Sequence, residues 1–204
     1  MANNPYANIN ADKVLFIIDA AHKVEEELLR TWLADSRRAH GYIGDEQKFV
    51  LSIAANPEDV DVKGFAKVLD IEPATLVVPV RVFWKSSLDD LNESPRWQDI
   101  VGGNPRRPSR AQARRILSTD PSRAICIMGT PATLEDLTTR YEERRKNAYL
   151  DKDLANYVAG QAALALEVAE RRMRGSRYKI PRRVADQIRA SFRYKQGIER
   201  LSQE

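Results

Sequence analysis

The sequence predicts an α/β fold: a small, mostly parallel sheet of at least three strands with flanking helices, followed by a helical extension. Three short runs of apolar and β-branched residues, at 14–18, 76–84 and 124–129, are typical of strands buried on both faces. Helical patterns separate these runs, and alternation of strand and helix favours parallel pairing. From about residue 148 only helical periodicity remains, so we expect an α/β domain over 1–147 and a helical extension over 148–204.

The first strand, 14–18, is followed by Asp19 and then by an amphipathic helix. Leu28 and Trp32 lie four residues apart in that helix, so they share a face and are the expected anchors on the sheet. Three consecutive glutamates in the first turn complement the positive end of the helix dipole. A short helix is expected over 61–70.

The second strand, 76–84, contains Pro79, which cannot donate a ladder hydrogen bond and is therefore expected at a sheet edge or a bulge. A basic helix is expected over 109–117. After the third strand, Thr130 is expected to cap the next helix, with Pro131 at its first position.

Composition argues against several classes of protein. No apolar run approaches the roughly 18 to 20 residues that a membrane-spanning helix needs. Cys126 is the single cysteine, so neither an internal disulfide nor a cysteine-rich metal site is expected. The glycines form no phosphate-binding loop and no metal-ligand spacing occurs, so we expect no cofactor. The polar first ten residues lack the pattern of a secretory signal, which favours the cytosol.

The net charge of +4 conceals two strongly basic segments. Residues 105–123 carry a net +5 and residues 171–195 a net +9. Such clusters are candidates for binding the phosphates of lipid or nucleic acid, and a solvated helix surface is the alternative. No helix-turn-helix pattern occurs, and 105–123 has no aromatic residue on which bases could stack, so nucleic acid is the disfavoured partner.

Three segments carry a family resemblance: IIDA and VEEELLRTWL at 17–20 and 24–33; VVPVRVFW, NPRRP and QARRIL at 77–84, 104–108 and 112–117; and AERRMRGSRYKIP at 169–181. In order and spacing they resemble the N-terminal region of bacterial glycerol-3-phosphate acyltransferases, the actinobacterial kind in particular. The resemblance covers nearly the whole chain. None of the three segments is a catalytic motif.

The resemblance implies a full-length enzyme that transfers an acyl group from acyl-CoA or acyl-carrier protein to the 1-hydroxyl of glycerol-3-phosphate. This is the first acylation of phospholipid synthesis, at the inner face of the cytoplasmic membrane. In the family the catalytic His-x4-Asp motif lies downstream of the counterpart of Pro181, so this chain is expected to be a non-catalytic region, inactive alone. The expected partners are the downstream catalytic domain, an anionic membrane surface, the acyl donor and glycerol-3-phosphate.

The densest basic run lies in the helical extension. Seven basic residues fall within thirteen positions with no acid among them: Arg171, Arg172, Arg174, Arg177, Lys179, Arg182 and Arg183. Juxtamembrane basic residues contribute on the order of 1 kcal/mol each at an anionic leaflet. We expect these residues to contact an anionic membrane surface. The alternative is that they pair with acids of the catalytic domain.

His40 and Asp45 repeat the spacing of the catalytic motif within this chain. In the family the histidine deprotonates the acceptor hydroxyl and the aspartate orients its imidazole. The family motif follows a buried strand, whereas His40 follows a helix end. We therefore keep the pair as candidates without transferring the catalytic role to them.

Two other classes of protein remain open. A basic nucleic-acid-binding or interaction module with no enzymatic activity would use 105–123 and 171–195. A small α/β enzyme would act at the strand ends, where Asp19 and His22 follow the first strand and where such sheets place ligands. The alternative for His22 is a histidine that is satisfied within the fold or simply exposed.

Overall fold

The computed structural model describes residues 4–7, 9, 11–53, 62, 64–85, 107–147 and 153–174. Within these residues it confirms the α/β class, with a mixed, mostly parallel sheet of five strands flanked by helices. The elements are β1 (Lys13–Asp19), α1 (Lys23–His40), β2 (Asp45–Leu51), α2 (Phe65–Val68), β3 (Leu76–Trp84), α3 (Arg110–Thr119), β4 (Ala124–Met128), β5 (Ala132–Thr133), α4 (Leu134–Asn147) and α5 (Leu154–Arg174).

The strand order is β2-β1-β3-β4, and β5 pairs with the beginning of β3. β1 lies in the middle and pairs in parallel with both β2 and β3. β4 and β5 run antiparallel to β3. An apolar run indicates burial of a strand but not its direction, so the orientation of β4 could not be read from its composition.

The two faces of the sheet each carry a separate part of the core. Successive side chains of β1 point to opposite faces. Phe16 and its neighbours on one face pack with α1 and α3, whereas Leu15 and Ile17 on the other face pack with α2, α4 and α5. Helices cover both faces, which explains why β1 is an uninterrupted apolar run rather than an alternating one.

Helix α1 begins at a cap formed by His22 and ends at Gly41, whose φ of 72° is the left-handed conformation that glycine adopts without strain. Leu29 and Leu33 are its fully buried residues. The expected anchors Leu28 and Trp32 are only partly buried, and this part of the prediction was wrong by one position. Both pairs have the same spacing of four, so periodicity alone could not choose between them.

The sequence did not indicate β2, which begins at Asp45 and pairs with β1 along its whole length. Most of its residues are half-buried or exposed; Leu51 is buried, and the side chain of Glu46 is 2% exposed. An outer strand with such partial burial has no need of a continuous apolar run. This is why composition revealed the inner strands β1 and β3 but not β2.

Pro79 lies in the inner strand β3, opposite Ile17 of β1. On its other side the pairing is interrupted, because β4 ends opposite Val80 and β5 begins opposite Val77. The Pro79 carbonyl accepts a hydrogen bond of 2.8 Å from the Gly129 amide in this gap. Pro79 has no amide hydrogen to donate, and it lies where the hydrogen-bond ladder between β3 and its antiparallel neighbours is interrupted. The proline is therefore tolerated although β3 is not an edge strand.

The helix expected after the third strand starts later than predicted. The short strand β5 precedes it, and α4 begins only at Leu134. Its cap is Thr133, whose hydroxyl accepts a 3.2 Å hydrogen bond from the Asp136 amide. The assignment of Thr130 as cap and Pro131 as first helical residue was wrong, because Ala132 and Thr133 pair with β3 as the short strand β5 before the helix begins.

Helix α5 belongs to the sheet's core although the sequence placed it in an extension beginning at 148. Its residues Val158 and Leu166 are buried, as are three of its alanines. The first compact unit of the chain runs over Met1–Met173, and the second, Arg174–Glu204, lies outside the described residues beyond Arg174. None of the described helices combines the length and apolar character needed to cross a bilayer.

Candidate functional site

Between β1 and β3, the chain changes the side of the sheet towards which it adds its next strand. From β1 the chain passes through α1 to β2 on one side, whereas from β3 it continues to β4 on the other side. In open α/β sheets such a switch point, at the carboxyl ends of the strands, is where ligands bind. Asp19 ends β1 there, and its neighbour in register on β3 is Arg81.

Asp19, Arg81 and Glu170 form what we call the buried ion cluster. The Arg81 Nε donates a 2.5 Å hydrogen bond to Asp19 Oδ2, and Nη2 contacts the same carboxylate. Its Nη1 donates at 2.8 Å to Glu170 Oε1 of helix α5. The Asp19 side chain is fully buried, and those of Arg81 and Glu170 are 13% and 17% exposed. One guanidinium thus joins β1, β3 and α5.

The electrostatics of the buried ion cluster keep Arg81 charged. Burial disfavours the charged guanidinium, but the nearby Asp19 and Glu170 carboxylates outweigh this effect, so the pKa of Arg81 is raised. A guanidinium held in this way has no proton to exchange during catalysis. What the cluster can do is fix three elements at the switch point.

Next to the cluster, the start of α1 is fastened by polar contacts of its own. The Glu25 carboxylate is buried and accepts 2.8 Å hydrogen bonds from Trp84 Nε1 and from the Ala21 amide. His22 Nδ1 lies 3.4 Å from the Glu25 amide, and its Nε2 lies 3.2 Å from the Pro108 carbonyl. Both ring nitrogens of His22 are thereby engaged, which favours its reading as a histidine satisfied within the fold.

The candidate pair His40 and Asp45 lies at the opposite, amino-terminal end of β1 and β2. His40 is the exposed last residue of α1, and its ring stacks near Tyr6 with centroids 6.5 Å apart. Asp45 opens β2, and its backbone amide donates to the Asp12 carbonyl at 2.8 Å. In the part of the chain that the structure describes, no hydrogen bond or ion pair joins the two side chains.

Three of the seven basic residues expected at a membrane are described, at the end of α5. Arg171 is exposed and pairs with Glu167 at 2.6 Å, one turn earlier. Arg172 is exposed, and Arg174 is partly buried. The remaining four lie outside the described residues: Arg177, Lys179, Arg182 and Arg183.

An open groove of about 300 Å³ lies between α4 and α5. Its lining is mainly apolar and includes Leu164 and Val168, which are 55% and 43% exposed. Arg140 and Gln161 add polar groups. Exposed apolar patches of this kind are typical of interaction surfaces, although no side chain here suggests chemistry.

The described residues contain no group of three or more histidine, cysteine or acidic side chains that could hold a metal ion. Cys126 in β4 is partly buried, and desolvation raises the pKa of its thiol to about 12. The thiolate is the reactive form of cysteine, so this residue is a poor nucleophile.

Sequence reasoning noticed Asp19 but missed its partners. The available signal was Arg81, a charged residue inside an otherwise apolar strand, because a buried charge has to be paired. Nothing in the sequence pointed to Glu170 as that pair, since 89 residues separate it from Arg81.

Comparison with known proteins adds no family. No model of a known protein family matches the chain, and no solved structure gives a significant match. The fold and the site define an α/β module with helices on both faces of its sheet and a buried ion cluster at its switch point.

Proposed function

We propose that the chain is the N-terminal, non-catalytic region of a glycerol-3-phosphate acyltransferase. The full enzyme would acylate the 1-hydroxyl of glycerol-3-phosphate from acyl-CoA or acyl-carrier protein in phospholipid synthesis. One observation carries the proposal: the three segments that resemble the family meet in the buried ion cluster. Asp19 comes from the first segment, Arg81 from the second and Glu170 from the third.

This convergence supports the proposal because the three residues are far apart along the chain. Asp19 and Arg81 are separated by 62 residues, and Arg81 and Glu170 by 89. Three segments that were alike by chance would have no reason to supply the members of one ion cluster. A shared structural requirement, the pairing of a buried charge, accounts for their joint presence.

The geometry also favours a non-catalytic role for this region. His22 is engaged in the cap of α1, and His40 has no carboxylate partner among the described residues. General base catalysis by histidine needs the ring within reach of the proton that it removes, with a second group orienting it. Both ring nitrogens of His22 are already engaged within the fold, and we propose that catalysis takes place in a downstream domain.

The proposal places the protein in the cytoplasm, peripheral to the inner face of the cell membrane. The basic residues from Arg171 to Arg183 would contact anionic lipid, and the downstream catalytic domain would be the second partner. The run of seven cations without an acid supports this placement, because their attraction to an anionic leaflet is additive to a first approximation. Arg171 pairs with Glu167, and exposed pairs of that kind are weak.

The deciding experiment compares this chain with the longer product expected from its gene. We expect the 204-residue chain to show no esterification of glycerol-3-phosphate with acyl-CoA or acyl-carrier protein. The longer polypeptide should be active and should lose activity when the histidine of a downstream His-x4-Asp motif is changed to alanine. As the matched control, His40→Ala should leave its activity unchanged. Activity of the short chain that disappears with His40→Ala, or a reading frame without the downstream motif, would overturn the proposal.

A basic interaction module with no enzymatic activity is the second candidate. It is favoured by Arg110, Arg114 and Arg115 of α3, which are exposed and make no ion pair with any described residue. Binding of duplex DNA by the purified chain, together with an inactive longer product, would favour this candidate over the acyltransferase.

A further inference from the structure

We propose that helix α3 carries a lipid-contacting face, distinct from the basic run in the C-terminal part of the chain. This arginine face consists of Arg110, Arg114 and Arg115. The kind of partner that we infer, a surface of anionic lipid headgroups, rests on the proposed function. The structural basis is the orientation and the pairing state of the three side chains.

The orientation of α3 is held by its other side. Ala113 is fully buried, and Ile116 and Leu117 are partly buried and pack against the core on the same face of the sheet as α1. A capping box at the first turn fixes the start of the helix, with the Ser109 hydroxyl and the Gln112 side chain each bonded to the other's backbone amide. The arginine face is therefore held outward by the fold.

Pairing distinguishes α3 from α1, its neighbour on the same face of the sheet. On α1 the exposed Arg30 pairs with Glu26 at 2.7 Å, and Arg38 pairs with Asp35 at 2.5 Å. Helix α3 contains no acidic residue, and its three exposed arginines form no ion pair with the described residues. Among the described residues, the exposed arginines of α1 are therefore paired with acids, whereas those of α3 are not.

The unpaired arrangement is unfavourable for the helix itself. Arg110 occupies the first turn, where the helix dipole repels a cation. Arg110 and Arg114 are four residues apart on one face, a spacing at which like charges repel. An external layer of anions would relieve both effects, so binding of anions and stability of α3 are linked.

The exposed side of α3 has charge but little else with which to recognise a partner. None of the large apolar residues exposed in the described structure lies on α3, whereas protein interfaces have an apolar core. It has no aromatic residue for stacking on bases, and its one amide side chain, Gln112, is engaged in the capping box. The exposed side of α3 therefore offers positive charge but no groups that would recognise the shape of a protein or the bases of a nucleic acid. Such a surface suits a flat layer of phosphate headgroups.

The test is partition of the full chain onto vesicles of phosphatidylglycerol mixed with phosphatidylcholine, at low and high salt. The first variant replaces all three arginines: Arg110→Gln, Arg114→Gln and Arg115→Gln. Each lost cation should lower the affinity for anionic vesicles about fivefold, so the triple variant should bind on the order of a hundredfold more weakly at low salt. The corresponding lysine variant should retain binding, because it keeps all three charges. High salt should weaken the wild type, because screening shortens the range of the attraction.

A matched control removes the same number of positive charges from paired sites: Lys13→Gln, Arg30→Gln and Arg38→Gln. These residues pair with Glu72, Glu26 and Asp35, and we expect their loss to change partition by no more than about threefold. Equal weakening in both triple variants would mean that net charge alone matters and would overturn the inference. So would wild-type partition onto pure phosphatidylcholine, no binding at all, or tighter binding of duplex DNA than of anionic vesicles.

The outcome is separable from that of the acyltransferase assay. Vesicle partition needs no catalysis, and acylation can be followed with a soluble acyl donor. If the longer polypeptide is active but its partition onto vesicles is unchanged by the three arginine-to-glutamine substitutions in α3, the inference about α3 is overturned and the proposed function is not. An inactive longer polypeptide would overturn the proposed function, whatever the vesicles show.

Discussion

Arg81 occupies a position where an apolar side chain would be expected, in the middle of an inner strand. Its charge is compatible with this place because carboxylates from β1 and α5 meet it there. Buried ion pairs contribute little net stability compared with apolar packing, but removal of one partner leaves a buried charge uncompensated. The buried ion cluster is therefore a point at which one substitution affects three elements.

At this scale we predict that Arg81→Met lowers the free energy of unfolding by about 3 to 5 kcal/mol at pH 7. The Asp19 and Glu170 carboxylates would lose the guanidinium that both contact, and the buried Asp19 charge would be less well compensated. Urea unfolding of the variant and of the wild type measures the difference.

Arg30→Gln is the control for that measurement. Arg30 and Glu26 are 43% and 30% exposed, and an ion pair so open to solvent contributes at most about 1 kcal/mol. If Arg81→Met were no more destabilising than Arg30→Gln, the buried ion cluster would not be a structural fastening.

At the scale of elements, α5 and the end of β4 approach each other closely. A Cβ added at Gly129 would lie 2.9 Å from both the Ala165 Cβ and the Pro79 Cγ, and 3.0 Å from the Ala165 backbone carbon. Such distances are too short for a real contact, so α5 would have to move away from β3. The groove between α4 and α5 begins at this same contact.

We predict that Gly129→Ala destabilises the protein by about 1 to 3 kcal/mol, the usual effect of overpacking. Gly160 of α5 supplies the matched control, because a Cβ there meets nothing within 4 Å. Alanine is favoured over glycine in a helix interior by about 1 kcal/mol, so Gly160→Ala should raise the midpoint of thermal unfolding. A shift of the same sign in both variants would contradict the close packing of α5 on β3.

On the scale of the whole molecule, α5 decides where the fold ends. Its buried Val158 and Ala162 belong to the layer that packs with Leu15 and Ile17 of β1. The first compact unit reaches Met173, beyond the boundary at 147 that the sequence suggested. Without α5 one face of the sheet would lose a large part of its cover.

We therefore predict different behaviour for two truncated chains. A chain of residues 1–174 should keep the unfolding midpoint of the full protein, because it contains the first compact unit. A chain of residues 1–147 should lose cooperative unfolding and bind an apolar dye, because the sheet face beneath α5 is exposed. Thermal unfolding followed by circular dichroism distinguishes the two, and cooperative unfolding of 1–147 at the full-length midpoint would contradict the role given to α5.

Much of the candidate site also followed from local patterns. Asp19 and His22 were placed at a strand end because an apolar run stops there and a helix begins. The contacts that decide their roles were not accessible in the same way. His22 reaches Pro108, which is 86 residues away, and Asp19 reaches Arg81, so their engagement depends on the pairing of distant elements.

Apolar runs and helical spacing were enough to determine the α/β class, the strands β1, β3 and β4, and most of the helices, because burial selects residue type locally. The outer strand β2, the antiparallel direction of β4 and the inward face of α1 were settled only by the folded chain. So was the buried ion cluster. Each of these depends on contacts between residues tens of positions apart, and the composition of a single segment does not record which other segment will lie against it.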